Sequence, residues 1–182
     1  LIQKQEIVSQ DCNRVFEKIS KKLKDLDNSS ILVSGGSGFL GSWISEMVFY
    51  MNSFHNKNIK LFLLDRDQER YENNLEHISK SKMIEFIKYD VRSVSDLPNE
   101  INYIIHGAAT PDSRMHSASP LDTMTSIADG TGAILHAANR VSNLLRFLNI
   151  SSSSVYGDLS GENISETSSG LPLDLKASNA HS

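Results

Sequence analysis

Gly35, Gly38 and Gly41 stand three residues apart, directly after the apolar run Ile31-Leu32-Val33 and directly before an amphipathic stretch. Few folds accept that order. A strand that enters a glycine turn and passes straight into a helix makes a phosphate cradle. Glycine allows the tight turn and lets the backbone come close to a pyrophosphate. The open N–H groups and positive dipole end of the helix then face the negative charge. Leu40, Trp43, Ile44, Met47, Val48 and Met51 recur at helical spacing after the turn and predict one buried helix face. Without a ligand the same residues would be a tight turn and no more.

The rest of the chain supplies the parts such a turn needs. Residues 1–30 predict a peripheral helix, with Cys12, Val15, Phe16, Ile19, Leu23 and Leu26 on one stripe. Strands are expected at 31–34, 59–64, 84–89, 101–105 and 144–150. The continuous run IKLFLL at 59–64 suits a strand covered on both faces. Helices are expected at 67–80 and 121–143, a short link between the third and fourth strands, and loop over 158–182. Alternating strands and helices imply an α/β fold, a Rossmann-type doubly wound parallel sheet with helices on both faces, preceded by the N-terminal helix. The expected division is an extension at 1–30 and one domain at 31–182. The chemistry-bearing residues then fall at the carboxyl ends of the strands, where open α/β sheets bind ligands.

Each strand end suggests a role. Asp65 can accept from both hydroxyls of an adenosine ribose and repels a 2′-phosphate, which favours NAD over NADP. Arg66 works against that preference, since a guanidinium can accept the phosphate, and Asp67 dilutes it. Asp90 and the backbone of Val91 are placed for adenine, or else simply start a turn. His106 is expected to be a packed residue rather than an acid or base. Gly107, Ala108 and Ala109 are small enough for a cofactor to lie against them. The hydroxyls of Ser151 to Ser154 can hydrogen-bond an oxygen that gains or loses hydride. No G-x-S-x-G elbow argues for a nucleophilic serine.

The net charge of −4 gives no ground for nucleic-acid binding. No apolar run approaches the roughly 18 residues of a membrane span. The single cysteine, Cys12, forms no intrachain disulfide or cysteine cluster and reads as an apolar filler. LIQKQEIV lacks the basic start and apolar core of a signal peptide, so a cytoplasmic location is expected.

The pieces SGGSGFLGSW, LLDR, YDVR, IIHGAAT and ISSSSVYG follow one another from residue 34 to residue 157. In that order the chain resembles the N-terminal, NAD-binding part of extended short-chain dehydrogenases/reductases, the sugar-nucleotide epimerase, dehydratase and decarboxylase family. The resemblance implies that Gly35, Ser37, Gly38, Phe39, Leu40 and Gly41 hold the pyrophosphate of NAD. It puts Asp65 and Arg66 at the ribose, Asp90 and Val91 at adenine, and Ala108 and Ala109 along the cofactor. It places the catalytic hydroxyl at Ser152, with Ser153 beside it, and a nucleotide sugar as substrate. A homodimer through helices around 121–143 is implied by the family alone.

Two positions depart from the family. Ile127 stands where an Asn is common. The Tyr of a Y-x-x-x-K motif is expected near 177–182, which reads ASNAHS, and no Y-x-x-x-K occurs in the 182 residues. One alignment puts His181 at that Tyr, another puts the motif beyond Ser182, and a third reading is a decayed centre. The expectation is therefore a chain that ends before the proton-transfer pair and the sugar-binding part, and is inactive by itself. A dinucleotide sensor without chemistry is the other reading.

Overall fold

The computed structural model describes residues 2–109, 113–156 and 163–167. Helix α1 runs from Ile2–Ile19 and passes into a 3-10 turn at Ser20–Leu26. Strand β1 (Ser30–Ser34) leads through the glycine turn to α2 (Phe39–Phe54) and β2 (Lys60–Asp65). Helix α3 (Gln68–Asn74), β3 (Ile84–Lys88) and β4 (Tyr103–His106) follow. Then come α4 (Ser113–Ala118), α5 (Pro120–Ala138) and β5 (Arg146–Asn149).

The strands form one parallel sheet in the order β3-β2-β1-β4-β5. The chain leaves β1 toward β2 and β3, then crosses back to β4 on the other side. The order therefore reverses between β1 and β4, and their carboxyl ends bound a crevice there. Ser34 lies beside both Leu64 and His106 in the register, which fixes the floor of that crevice.

Alternation along each strand separates two cores. Ile31, Val33, Leu61 and Leu63 face Val48 and Met51 of α2, together with Tyr71, Leu75 and Ile78. Leu32, Phe62, Leu64 and Ile104 face Ile134, Ala137 and Ala138 of α5, with Val91 and Val94 closing the side. Each such leucine or isoleucine contributes about 2 kcal/mol on burial. Helix α1 lies outside α2. The Phe16 ring stacks on His55 at 3.7 Å between centroids, and Tyr50 donates to the Asn13 carbonyl oxygen at 2.7 Å.

The helix face expected after the glycine turn divides in two. Val48 and Met51 are buried, but Leu40 is 51% and Trp43 39% exposed. Both sit in the first turns of α2 beside the glycine turn, where Gly41 and Ser45 are the buried positions. Helix α3 stops at Asn74, short of the expected 80, the expected short link between β3 and β4 holds a 3-10 turn at Val91–Ser93, and α4 adds a helix ahead of α5. Helix α5 ends at Ala138, with a loop before β5. Most of the 158–182 stretch expected as loop lies outside the described residues.

Candidate functional site

The glycine turn is built by contacts that side chains would forbid. Gly35 has φ +71°, and a Cβ there would meet the Gly107 carbonyl oxygen at 2.8 Å. A Cβ on Gly41 would press on the Gly35 carbonyl oxygen and sit 2.6 Å from the Gly36 Cα. The turn is closed by Gly38 N–H donating to the Gly35 carbonyl at 3.0 Å. Gly38 caps α2 without a side chain, so the N–H groups of the first helical turn remain for an anion. Phe39 (80% exposed) and Leu40 flank that opening.

Beside the turn, a cleft of about 200 Å³ opens at the carboxyl ends of β1, β2 and β4. Gly35, Asp65, Arg66, Asp90, Val91, Ala108 and Ala109 line it. Residues far apart in the chain thus meet along one wall. Ser37, Gly38, Phe39, Leu40 and Gly41 belong to the adjoining turn rather than to the cleft lining.

Asp65 is buried, 6% exposed, and extensively bonded. The Ser37 hydroxyl donates to its Oδ2 at 2.7 Å, and the Asp67 N–H to its Oδ1 at 3.2 Å. Arg70 reaches both oxygens through Nη2 at 3.1 Å, while its Nε donates to the Ser37 hydroxyl at 2.8 Å. Burial pushes the Asp65 carboxyl up, but the bonds from Ser37 and Asp67 and the Arg70 charge outweigh it and leave it below the ordinary 3.8. Asp90 is held by Arg92, whose Nη2 donates at 2.8 Å and whose N–H donates at 3.0 Å. Its carboxyl is lowered chiefly by that guanidinium, against a smaller opposing effect of burial. The Asp90 side chain also caps the 3-10 turn at Val91–Ser93, which sets Val91 into the cleft.

At the other end of the crevice, the Ser34 hydroxyl lies 2.6 Å from His106 Nδ1, and His106 Nε2 lies 3.1 Å from the Thr131 hydroxyl of α5. Ser34 Oγ also accepts from the N–H groups of Gly107 and Ala108. His106 is 3% exposed, and burial lowers its pKa below 6.5. It is a packed residue that holds the Gly107-Ala108 turn. Ser152 and Ser153 follow β5 at the same sheet edge. Ser153 opens a 3-10 turn, Ser153–Tyr156, and the Val155 N–H donates to the Ser152 carbonyl at 3.2 Å. Ser152 is not among the described residues that line the cleft. The 177–182 window falls outside the described residues.

The model of the NAD-dependent epimerase/dehydratase family matches residues 31–181. The chain belongs to that family. Among curated members, UDP-glucuronic acid decarboxylase 1 of Danio rerio is 31% identical over 138 residues, covering 76% of this chain and 31% of that protein. CDP-paratose 2-epimerase of Salmonella typhi is 27% identical over 148 residues, covering 75% and 40%. Among solved structures, the UDP-glucuronic acid 4-epimerase of Bacillus cereus, in complex with UDP-glucuronic acid and NAD, superposes with a TM-score of 0.68 at 25% identity. It covers 84% of this chain and 48% of that one. This epimerase/dehydratase chain thus spans about a third to a half of the relatives' length.

Four cleft residues were given no site role in the sequence reading of this family member: Leu64, Arg70, Tyr89 and Ser126. Arg70 had a signal, a cation one helical turn beyond the Asp67 cap and therefore folded back toward Asp65. Tyr89 closes the end of β3, and Ser126 arrives on α5 from the far side of the sheet, so sequence proximity identifies neither.

Proposed function

We propose that this chain is the cofactor-binding part of an NAD-dependent epimerase, dehydratase or decarboxylase acting on a nucleotide sugar. The observation that carries the reading is the Cβ-free turn at Gly35 to Gly41 opening directly into the cleft at the sheet's reversal point. The cradle fits a pyrophosphate. Its closest approaches are backbone, and its donors are the unpaired N–H groups of the α2 start. Asp65, Arg66 and Arg70 stand at the adenosine ribose, Asp90 and Val91 at adenine, and Ala108 and Ala109 along the cofactor. Residues 31–182 form the NAD-binding domain, and residues 1–30 are an extension braced on α2.

NAD, when bound, supplies a hydride acceptor and donor. The chain's own residues bind it, orient it and exclude water from its adenosine half. Ser152, with Ser153 beside it, holds the reacting oxygen of the sugar by a hydrogen bond. Proton transfer needs a further acid–base pair, and no Y-x-x-x-K occurs in the 182 residues. The chain by itself therefore binds dinucleotide without turning over nucleotide sugar. The test is calorimetric titration of the purified chain with NAD, followed by incubation with UDP-glucuronic acid and analysis of products. Binding without products is expected. Absence of NAD binding overturns the cofactor reading, and product formation overturns the claim of inactivity.

A second reading of the same cradle, one that needs dinucleotide binding alone, is a sensor on the same fold. Unchanged affinity of a partner protein in the presence and absence of NAD argues against it.

A further inference from the structure

Ser37 lies in the middle of the glycine turn, is fully buried, and has every polar group engaged. Its N–H and its hydroxyl both donate to Asp65 Oδ2, and the hydroxyl accepts from Arg70 Nε at 2.8 Å. Its carbonyl oxygen accepts from Asn74 Nδ2 at 3.1 Å and, at the longer distance of 3.4 Å, from the Ser42 hydroxyl. Apart from Ser42, these partners all come from β2 and α3. Arg70 and Asn74 stand four residues apart and so share one face of α3. Tyr71 and Leu75, one position further on, are buried and fasten that helix to the sheet. Asn74 itself is exposed, so neither core depends on its side chain. It is not among the described residues that line the cleft.

The bond to the carbonyl decides which way one peptide faces. The Ser37–Gly38 peptide is trans, so its C=O and its N–H point in opposite directions. The N–H, that of Gly38, donates to the Gly35 carbonyl at 3.0 Å and closes the turn, while the C=O points to Asn74. Glycines stand on both sides of Ser37 and resist a rotation of this peptide least of all residues. Turned over, it would set its carbonyl oxygen against the Gly35 carbonyl and break the closing bond. Gly38 is also the cap of α2, so the open N–H groups of the first helical turn move with it.

We propose that Asn74 is a positioning residue for the pyrophosphate cradle. Its amide pins the Ser37 carbonyl against α3, and this keeps the Gly38 cap and the N–H groups behind it converged on one anion. The inference rests on the glycine turn being the dinucleotide site.

The experiment compares the unmodified chain with Asn74→Ala and with Asn74→Leu, which keeps the bulk and removes the donor. Amide hydrogen exchange is followed at Gly38 and, as a reference, at Val33 and Leu61 in the sheet. NAD affinity is measured by calorimetry at one fixed ionic strength. In both variants Gly38 is expected to exchange about fivefold faster or more, and NAD to bind about fivefold more weakly or more, the scale of one lost hydrogen bond. The sheet amides are expected to stay within about twofold. Unchanged exchange at Gly38 overturns the proposal and leaves the cofactor reading standing. Equal acceleration at Val33 and Leu61 marks a general loosening and also overturns it, as does faster exchange at Gly38 with unaltered NAD affinity. Failure of the unmodified chain to bind NAD sinks the cofactor reading and the proposal together.

Discussion

At the scale of single residues, the crevice depends on atoms that are absent and on charges that are suppressed. Gly41→Ala would drive a methyl group into the backbone of Gly35 and Gly36. Backbone cannot move aside as a flexible side chain can, so a loss of about 3 kcal/mol is expected, the upper end of overpacking costs. Urea denaturation would read it, with NAD affinity falling in parallel. His106 is suppressed by burial. A histidine whose native pKa is lowered adds its full stability above the unfolded value of 6.5, and loses it as pH falls from there toward the native value. The unfolding free energy from urea titrations should therefore fall as pH drops below 6.5, by no more than about 1.4 kcal/mol per pH unit from this group. His106→Asn should flatten that part of the profile. An unchanged slope would mean that His106 does not carry it.

Arg70 shows where reading residues from sequence stops. The acid at the end of β2 was legible because strand ends are where α/β sheets place their ligand groups. The partner of that acid was not, because the helical turn that starts at the Asp67 cap has to bring Arg70 round before its guanidinium can reach back. Ser37 likewise looked like a pyrophosphate contact and proves to bond Asp65 as well.

At the scale of elements, apolar runs identified the strands and their order of appearance, and the continuous run of β2 is covered on both faces as expected. Periodicity misjudged α2. Spacing shows which residues share a helix face, but not how much of that face is covered. Leu40 and Trp43 stay exposed, and Val48 and Met51 are buried. Helix α5 was legible despite its glycines, and those two glycines differ. A Cβ on Gly130 would meet Val91 Cγ1 at 2.8 Å, whereas one on Gly132 meets nothing within 4 Å. Gly132→Ala is expected to stabilise the protein by about 0.5–1 kcal/mol through reduced backbone entropy, and Gly130→Ala to destabilise it. Thermal midpoints of the two variants should move in opposite directions.

At the scale of the whole molecule, the family was visible in the sequence because its motifs are spaced by whole strand–helix units, each long enough for one crossover. The reaction was not, since one sheet edge fixes the cofactor's bed while the sugar's fate depends on groups beyond it. One consequence concerns α1. Cys12 is the chain's sole thiol. It is 3% exposed, and burial, then Glu46 and Asp11, push it up to about 11. A thiol reagent can therefore reach it only when the N-terminal helix lifts from α2. The rate of labelling by such a reagent becomes a clock for that lifting, without any engineered probe. Phe16→Ala, which removes the ring stacked on His55, should quicken the clock several-fold or more, as expected when about 1–2 kcal/mol of local packing is lost. If labelling of both proteins instead tracks global unfolding, the helix and the sheet open as one body.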